Sequence, residues 1–205
     1  NGGTAISTTI SNGGSQQVFS GGTAIKNVLS GFDAGQNIYG GVASGGSYTS
    51  GYQFVTEGGS SIDEVFDANA RIRIDSGGVA LRAILLNGAT QTLVNFGSAI
   101  STTISSGANQ VISSGGIANS TIISSGGTQQ ITTGGLASAT TISAGGTQNI
   151  SSGGIANGTT ISSGGIQNVS SGAIANRTTV VSGGTQTIFG GCLLYTSDAA
   201  DDTPC

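Results

Sequence analysis

The chain has 205 residues, of which 38 are Gly, where an ordinary usage of about 7% would give roughly 14, and only 7% are charged. It contains one Pro and no Met, Trp or His, and no apolar run of about 18 residues that could span a bilayer as a helix. With residues 192–205 set aside, Lys26, Arg71, Arg73, Arg82 and Arg177 face Asp33, Glu57, Asp63, Glu64, Asp67 and Asp75, so there is no basic stripe and nucleic acid is excluded as a partner. Gly, Ser and Thr at low charge would suit a disordered linker, but 36% of the residues are hydrophobic, most of them Ile, Val, Leu or Ala, which a linker would not keep.

The chain opens at Asn1 in mid-pattern, with no initiator Met, basic leader or apolar leader core, and is expected to be a piece of a larger protein. From Gly2 onward the sequence repeats. Units begin at 2, 21, 40, 58, 77, 96, 115, 134, 153 and 172, a period of 19 with one deletion near Gly51 and another near Phe189. A second glycine pair, as at Gly126-Gly127, Gly145-Gly146 and Gly164-Gly165, divides each repeat into 11 and 8 residues. Repeats before about residue 96 diverge more than those after it. The pattern stops at Gly191, and Cys192 to Asp201 resembles a translated sequencing-library adaptor, so 1–191 is expected as the β-helical repeat region of a larger domain and 192–205 as a non-native tail. Both cysteines, Cys192 and Cys205, lie in that tail, which excludes a small domain held together by disulfides.

Read down its columns, the repeat shows which positions are constrained. The fourth is Ala throughout, from Ala5 to Ala175, apart from Ser61; the ninth is apolar (Ile10, Leu29, Tyr48, Phe66, Leu85, Ile104, Ile123, Ile142, Ile161, Val180). The seventeenth is also apolar, as in Val18, Ile74, Leu93, Ile112 and Ile131. Gln16, Gln91, Gln110, Gln129, Gln148, Gln167 and Gln186 stand two residues before that column and so on the same side of a strand. Whether they are buried as an amide ladder is not decided at this level. Glycine pairs every 8 to 11 residues rule out a helix, at about 1 kcal/mol per Gly, and the intervening runs are rich in β-branched Thr, Ile and Val. Identical residues recurring once per coil are what stacked parallel strands need. The expected fold is therefore all-β, a parallel β-helix (solenoid) of about ten rungs of 19 residues, with the glycine pairs as turns. At about 4.8 Å per rung it makes a rod of about 48 Å.

Little catalytic chemistry is on offer. Without His or a cysteine before residue 192, general acid–base work falls to carboxylates. The one charged cluster is Glu57, Asp63, Glu64, Asp67, Arg71, Arg73, Asp75 and Arg82, confined to two repeats. It reads as solvated ion pairs on rungs that break the consensus, or as a ligand or self-association patch of Asp63, Glu64, Asp67, Arg71, Arg73 and Arg82, or as an active site. No phosphate-loop motif and no column of Asp for calcium accompany the glycines, so no metal and no cofactor are expected. Thr pairs such as Thr102-Thr103 and Thr140-Thr141 raise the further reading of a regular surface array of hydroxyls.

The unit Gly-Gly-Thr-Gln-Asn-Ile-Ser-Ser-Gly-Gly-Ile-Ala at Gly145 to Ala156 resembles the AIDA-type repeat of self-associating autotransporter adhesins of Gram-negative bacteria, and the likeness covers nearly all of 1–191. It implies a non-enzymatic passenger displayed outside the cell by a C-terminal membrane barrel and mediating self-association, biofilm formation or attachment. The implied partners are like passengers on neighbouring cells, or host surfaces and glycans; the membrane enters only through that barrel. Some relatives carry heptose on repeat Ser or Thr, for which Ser105, Ser124, Ser143 and Ser162 are candidates here. The runner-up readings are a β-helix that binds or processes polysaccharide and a passive surface stalk.

Overall fold

A computed structural model describes residues 2–190 and the backbone of 193–195. Every strand pairs in parallel with the strand one rung away, and strands three apart in sequence are neighbours, so the chain winds as a coil whose rungs lie on three long sheets. The first sheet has eleven strands, starting with Thr4–Ile6 and Thr23–Ile25; the second has ten, starting with Thr9–Ser11; the third has ten, starting with Ser15–Phe19. Register follows the columns of the repeat: Ala118 pairs with Ala99 and Ala137, Ile123 with Ile104 and Ile142, Gln129 with Gln110 and Gln148. The parallel β-helix and its rung of about 19 residues are thus as read. The eleventh strand of the first sheet is the backbone of Leu193–Tyr195, which pairs with Ile174–Asn176. The expected tail otherwise lies outside the described residues.

The interior is one continuous core built of several columns of stacked side chains. Within the stack the Ala, Ile/Leu and second apolar columns are closed to solvent, and where Ile gives way to aromatic residues Tyr48 and Phe66 stack with ring centroids 4.5 Å apart. Stacking closes the core: Val180 and Ile188, with no described rung above them in their own sheets, are 46% and 37% exposed.

Glycine pairs make two of the three corners. At the second of them, Gly126 takes φ +75°, which only Gly adopts freely, and Gly127 turns inward so tightly that a Cβ would meet the carbonyl oxygen of Ile104 at 2.4 Å. The third corner, between the first and second sheets, is one left-handed residue in every rung: Ser7, Lys26, Gly45, Asp63, Arg82, Ser101, Ser120, Ala139, Gly158 and Arg177, with φ from 53° to 72°. Only two of these are Gly, so the repeat pattern shows two turns where the structure has three. The strain is tolerated because the corner N–H turns to bond the rung above, as Ser120 N–H does to the carbonyl of Ser138 at 2.9 Å.

Candidate functional site

The Gln column is buried and forms a ladder. From Gln91 upward each amide donates to the carbonyl oxygen of the Gln one rung before it: Gln110 to Gln91 at 2.6 Å, Gln129 to Gln110 at 2.7 Å, Gln148 to Gln129 at 2.6 Å. The first Thr of each Thr pair also points inward and donates its hydroxyl to the same oxygen, Thr140 Oγ1 to Gln129 Oε1 at 3.4 Å and Thr159 Oγ1 to Gln148 Oε1 at 3.3 Å. Each amide oxygen therefore receives two donors, which is what a buried carbonyl needs. It follows that the Thr pairs are not a surface array: Thr102, Thr140 and Thr159 are buried and only their partners face outward.

This ladder is cut where the charged cluster begins. Ile72 occupies the Gln position, leaving Gln91 Nε2 and Gln53 Oε1 buried without a partner among the described residues. Glu64 takes the inward Thr position and is 1% exposed, seated between the rungs of Gly46, which has no side chain, and Ala83, which has only a methyl. Its Oε2 accepts from Gln53 Nε2 at 2.6 Å, while Tyr48 donates its hydroxyl to Gln36 Oε1 at 2.6 Å. Burial pushes the Glu64 carboxyl up to about 7 despite the bonds to Tyr48 and Gln53, and burial together with the Glu64 charge raises the Tyr48 hydroxyl well above its usual range.

The rest of the cluster does not converge. Asp63 and Arg82 are consecutive left-handed corner residues and form an exposed two-pronged ion pair, Nε to Oδ1 at 2.6 Å and Nη2 to Oδ2 at 2.8 Å, which holds Asp63 below the usual carboxylate range. Asp67 lies at the turn into the third sheet, where it accepts from Asn87 Nδ2 at 2.6 Å. Arg71 and Arg73 stand on the outer face of the third sheet, and Arg73 is tied to Asp75 at 2.7 Å. Burial raises the Asp75 carboxyl, but bonds from Arg73, Asn95 and Ser76 outweigh it and leave it below its ordinary value. The six residues of the expected patch therefore divide among an outer corner, the interior, a turn and a sheet face. Among the described residues no three of His, Cys, Asp and Glu gather as a metal would require.

The outer faces are regular. On the first sheet Ile117, Leu136, Ile155 and Ile174 stack in one outward column beside Asn119, Ser138, Asn157 and Asn176, and Ile117 and Ile155 are each 38% exposed.

The family described as "Adhesin of bacterial autotransporter system, probable stalk" matches residues 113–165, where the repeats are most alike. Over 94% of its length the chain superposes on a crystal structure of a TibC-catalyzed hyper-glycosylated TibA55-350 fragment, covering 77% of that chain at 34% identity and a TM-score of 0.76. The chain belongs to the AIDA-type autotransporter adhesins. No curated protein matches it in sequence. As an adhesin passenger it has, among the described residues, no helix long and apolar enough to cross a membrane. Of the candidates for glycosylation, Ser105, Ser124, Ser143 and Ser162 line up as one half-buried column at the end of the second sheet, while the next residue in three of those rungs, Ser106, Ser125 and Ser163, is exposed.

Proposed function

We propose that this chain is the adhesive region of a surface-displayed passenger that joins cells by pairing with a second copy of itself, and that it performs no catalysis. One observation carries the reading. The outer face of the first sheet repeats one side chain per rung, an apolar column from Ile117 to Ile174 flanked by amides and hydroxyls. A second rod laid along that face meets the same weak contact at every rung, and contacts too weak singly to hold two cells add up along the rod. Display is at the outer surface of a Gram-negative cell, through a C-terminal barrel; like passengers, or glycans of a host surface, are the partners, and biofilm is the collective result. The half-buried column Ser105, Ser124, Ser143 and Ser162 is the candidate for sugar attachment, in keeping with the glycosylated state of the TibA fragment.

Bacteria displaying residues 2–190 on an autotransporter barrel are expected to aggregate and settle, while cells displaying the barrel alone stay dispersed. Equal settling of the two would instead favour a passive stalk.

A further inference from the structure

The outer face of the third sheet carries mostly small polar side chains and departs from them most over the rungs of Tyr52 and Arg71. There Tyr52, Arg71 and Thr90 follow one another in one outward column, and Phe54, Arg73 and Thr92 in the next. One rung before Tyr52 that column holds Gly35, its lone glycine among Ser15, Arg71, Thr90, Asn109 and Thr128. A Cβ at Gly35 would stand 2.4 Å from Tyr52 Cζ, so the ring lies across the glycine, and Tyr52 stays 38% exposed. Two hollows flank it. One, of about 400 Å³, is lined by Asn37, Phe54, Arg73 and Thr92; the other, of about 280 Å³, by Phe32, Asp33, Ser50 and Asn69; Tyr52 and Arg71 wall both. Arg73 is committed to Asp75, whereas Arg71 has no acidic partner among the described residues.

We infer that this face binds an acidic polysaccharide, a chain of sugars bearing carboxylates, with a sugar ring on Tyr52 and its carboxylate on Arg71. A supported aromatic ring offers a flat surface to the C–H face of a pyranose. A guanidinium beside it takes a carboxylate through two parallel N–H···O bonds. Asn37, Thr90 and Thr92 supply the neutral donors and acceptors that sugar hydroxyls need. Rungs about 4.8 Å apart nearly match the length of one sugar residue, so a polysaccharide running along the rod meets successive rungs in step. Asp33, which also lines the smaller hollow, disfavours a second carboxylate there and favours the charged group at Arg71. A single uncommitted cation engages one carboxylate at a time and does not suit a polyphosphate backbone, which draws on many cations at once. The site goes beyond adhesion between copies and uses a different sheet, so either can fail alone.

The test is calorimetric titration of the purified chain with oligogalacturonate, with neutral dextran oligomers and a single-stranded oligonucleotide as comparisons. Oligogalacturonate is expected to bind best and to weaken with added salt. Arg71→Ala and Tyr52→Ala are each expected to weaken it about tenfold or more, with Arg71→Lys intermediate and Arg82→Ala, at the distant corner, without effect. Both substituted side chains face outward, and an unchanged melting temperature verifies that the fold is kept. Failure of oligogalacturonate to bind, binding that survives Arg71→Ala and Tyr52→Ala made together, or tighter binding of dextran or oligonucleotide would each overturn the site.

Discussion

Replacing Ile142 with Asp is expected to lower the stability of the stack by about 4 kcal/mol or more, while Thr160→Asp on the outer face costs less than about 0.5 kcal/mol. Ile142 is closed to solvent between Ile123 and Ile161. The substitution removes a buried side chain and puts an unpaired charge in its place. A solenoid rung touches only its neighbours, so the damage is local: thermal unfolding should split into two steps, and proteolysis should open the rungs around residue 142 first. A single transition with an unchanged midpoint would refute the buried column.

Stability should also depend on pH, through one buried carboxyl group. The Glu64 carboxyl sits at about 7 in the folded chain against an ordinary value of 4.5. Between those values the folded chain holds a proton that the unfolded chain has released, so stability is greatest at the acid end and falls as pH rises through the window, by about 3 kcal/mol in all, levelling off above it. Asp63 and Asp75, held below their usual values, act with the opposite sign and only at more acid pH. No histidine competes in the interval. The protonated acid also has a geometric role: Gln53 Oε1 lacks a donor, and Glu64 stands where Thr donates to Gln in the regular rungs. Glu64→Gln supplies that donor without the charge, so its denaturation midpoint should be flat from pH 5 to 8, whereas that of the unaltered chain should decline. A variant with the same slope as the unaltered chain would show that Glu64 is not the source.

Much of this molecule was legible in its sequence because parallel stacking in register makes a column of the repeat and a contact of the fold the same thing. Ala118 meets Ala137 and Ile123 meets Ile142 because they are 19 residues apart. The third corner escaped notice because one left-handed residue needs no glycine when its N–H is bonded to the next rung; Lys26, Asp63, Arg82 and Arg177 all sit there. The charged cluster yields the ion pairs Asp63–Arg82 and Arg73–Asp75 but not one joint patch, for a related reason. Residues close in sequence travel around the perimeter of a rung, so Asp63, Glu64 and Arg71 end on a corner, inside, and on a different sheet. The face containing Tyr52 and Phe54 was missed because the deletion near Gly51 hides the register that sets them beside Arg71 and Arg73. The alternation Tyr52-x-Phe54 one rung before Arg71-x-Arg73 was the signal.

If the outer face of the first sheet carries the adhesion, the decisive measurement is the settling of cells that display the chain with Ile117, Leu136 and Ile155 all changed to Ser. All three side chains point outward in one column. Settling is expected to be largely lost while the circular dichroism and melting temperature of the purified variant are preserved. Settling as fast as that of cells displaying the unaltered chain would contradict it.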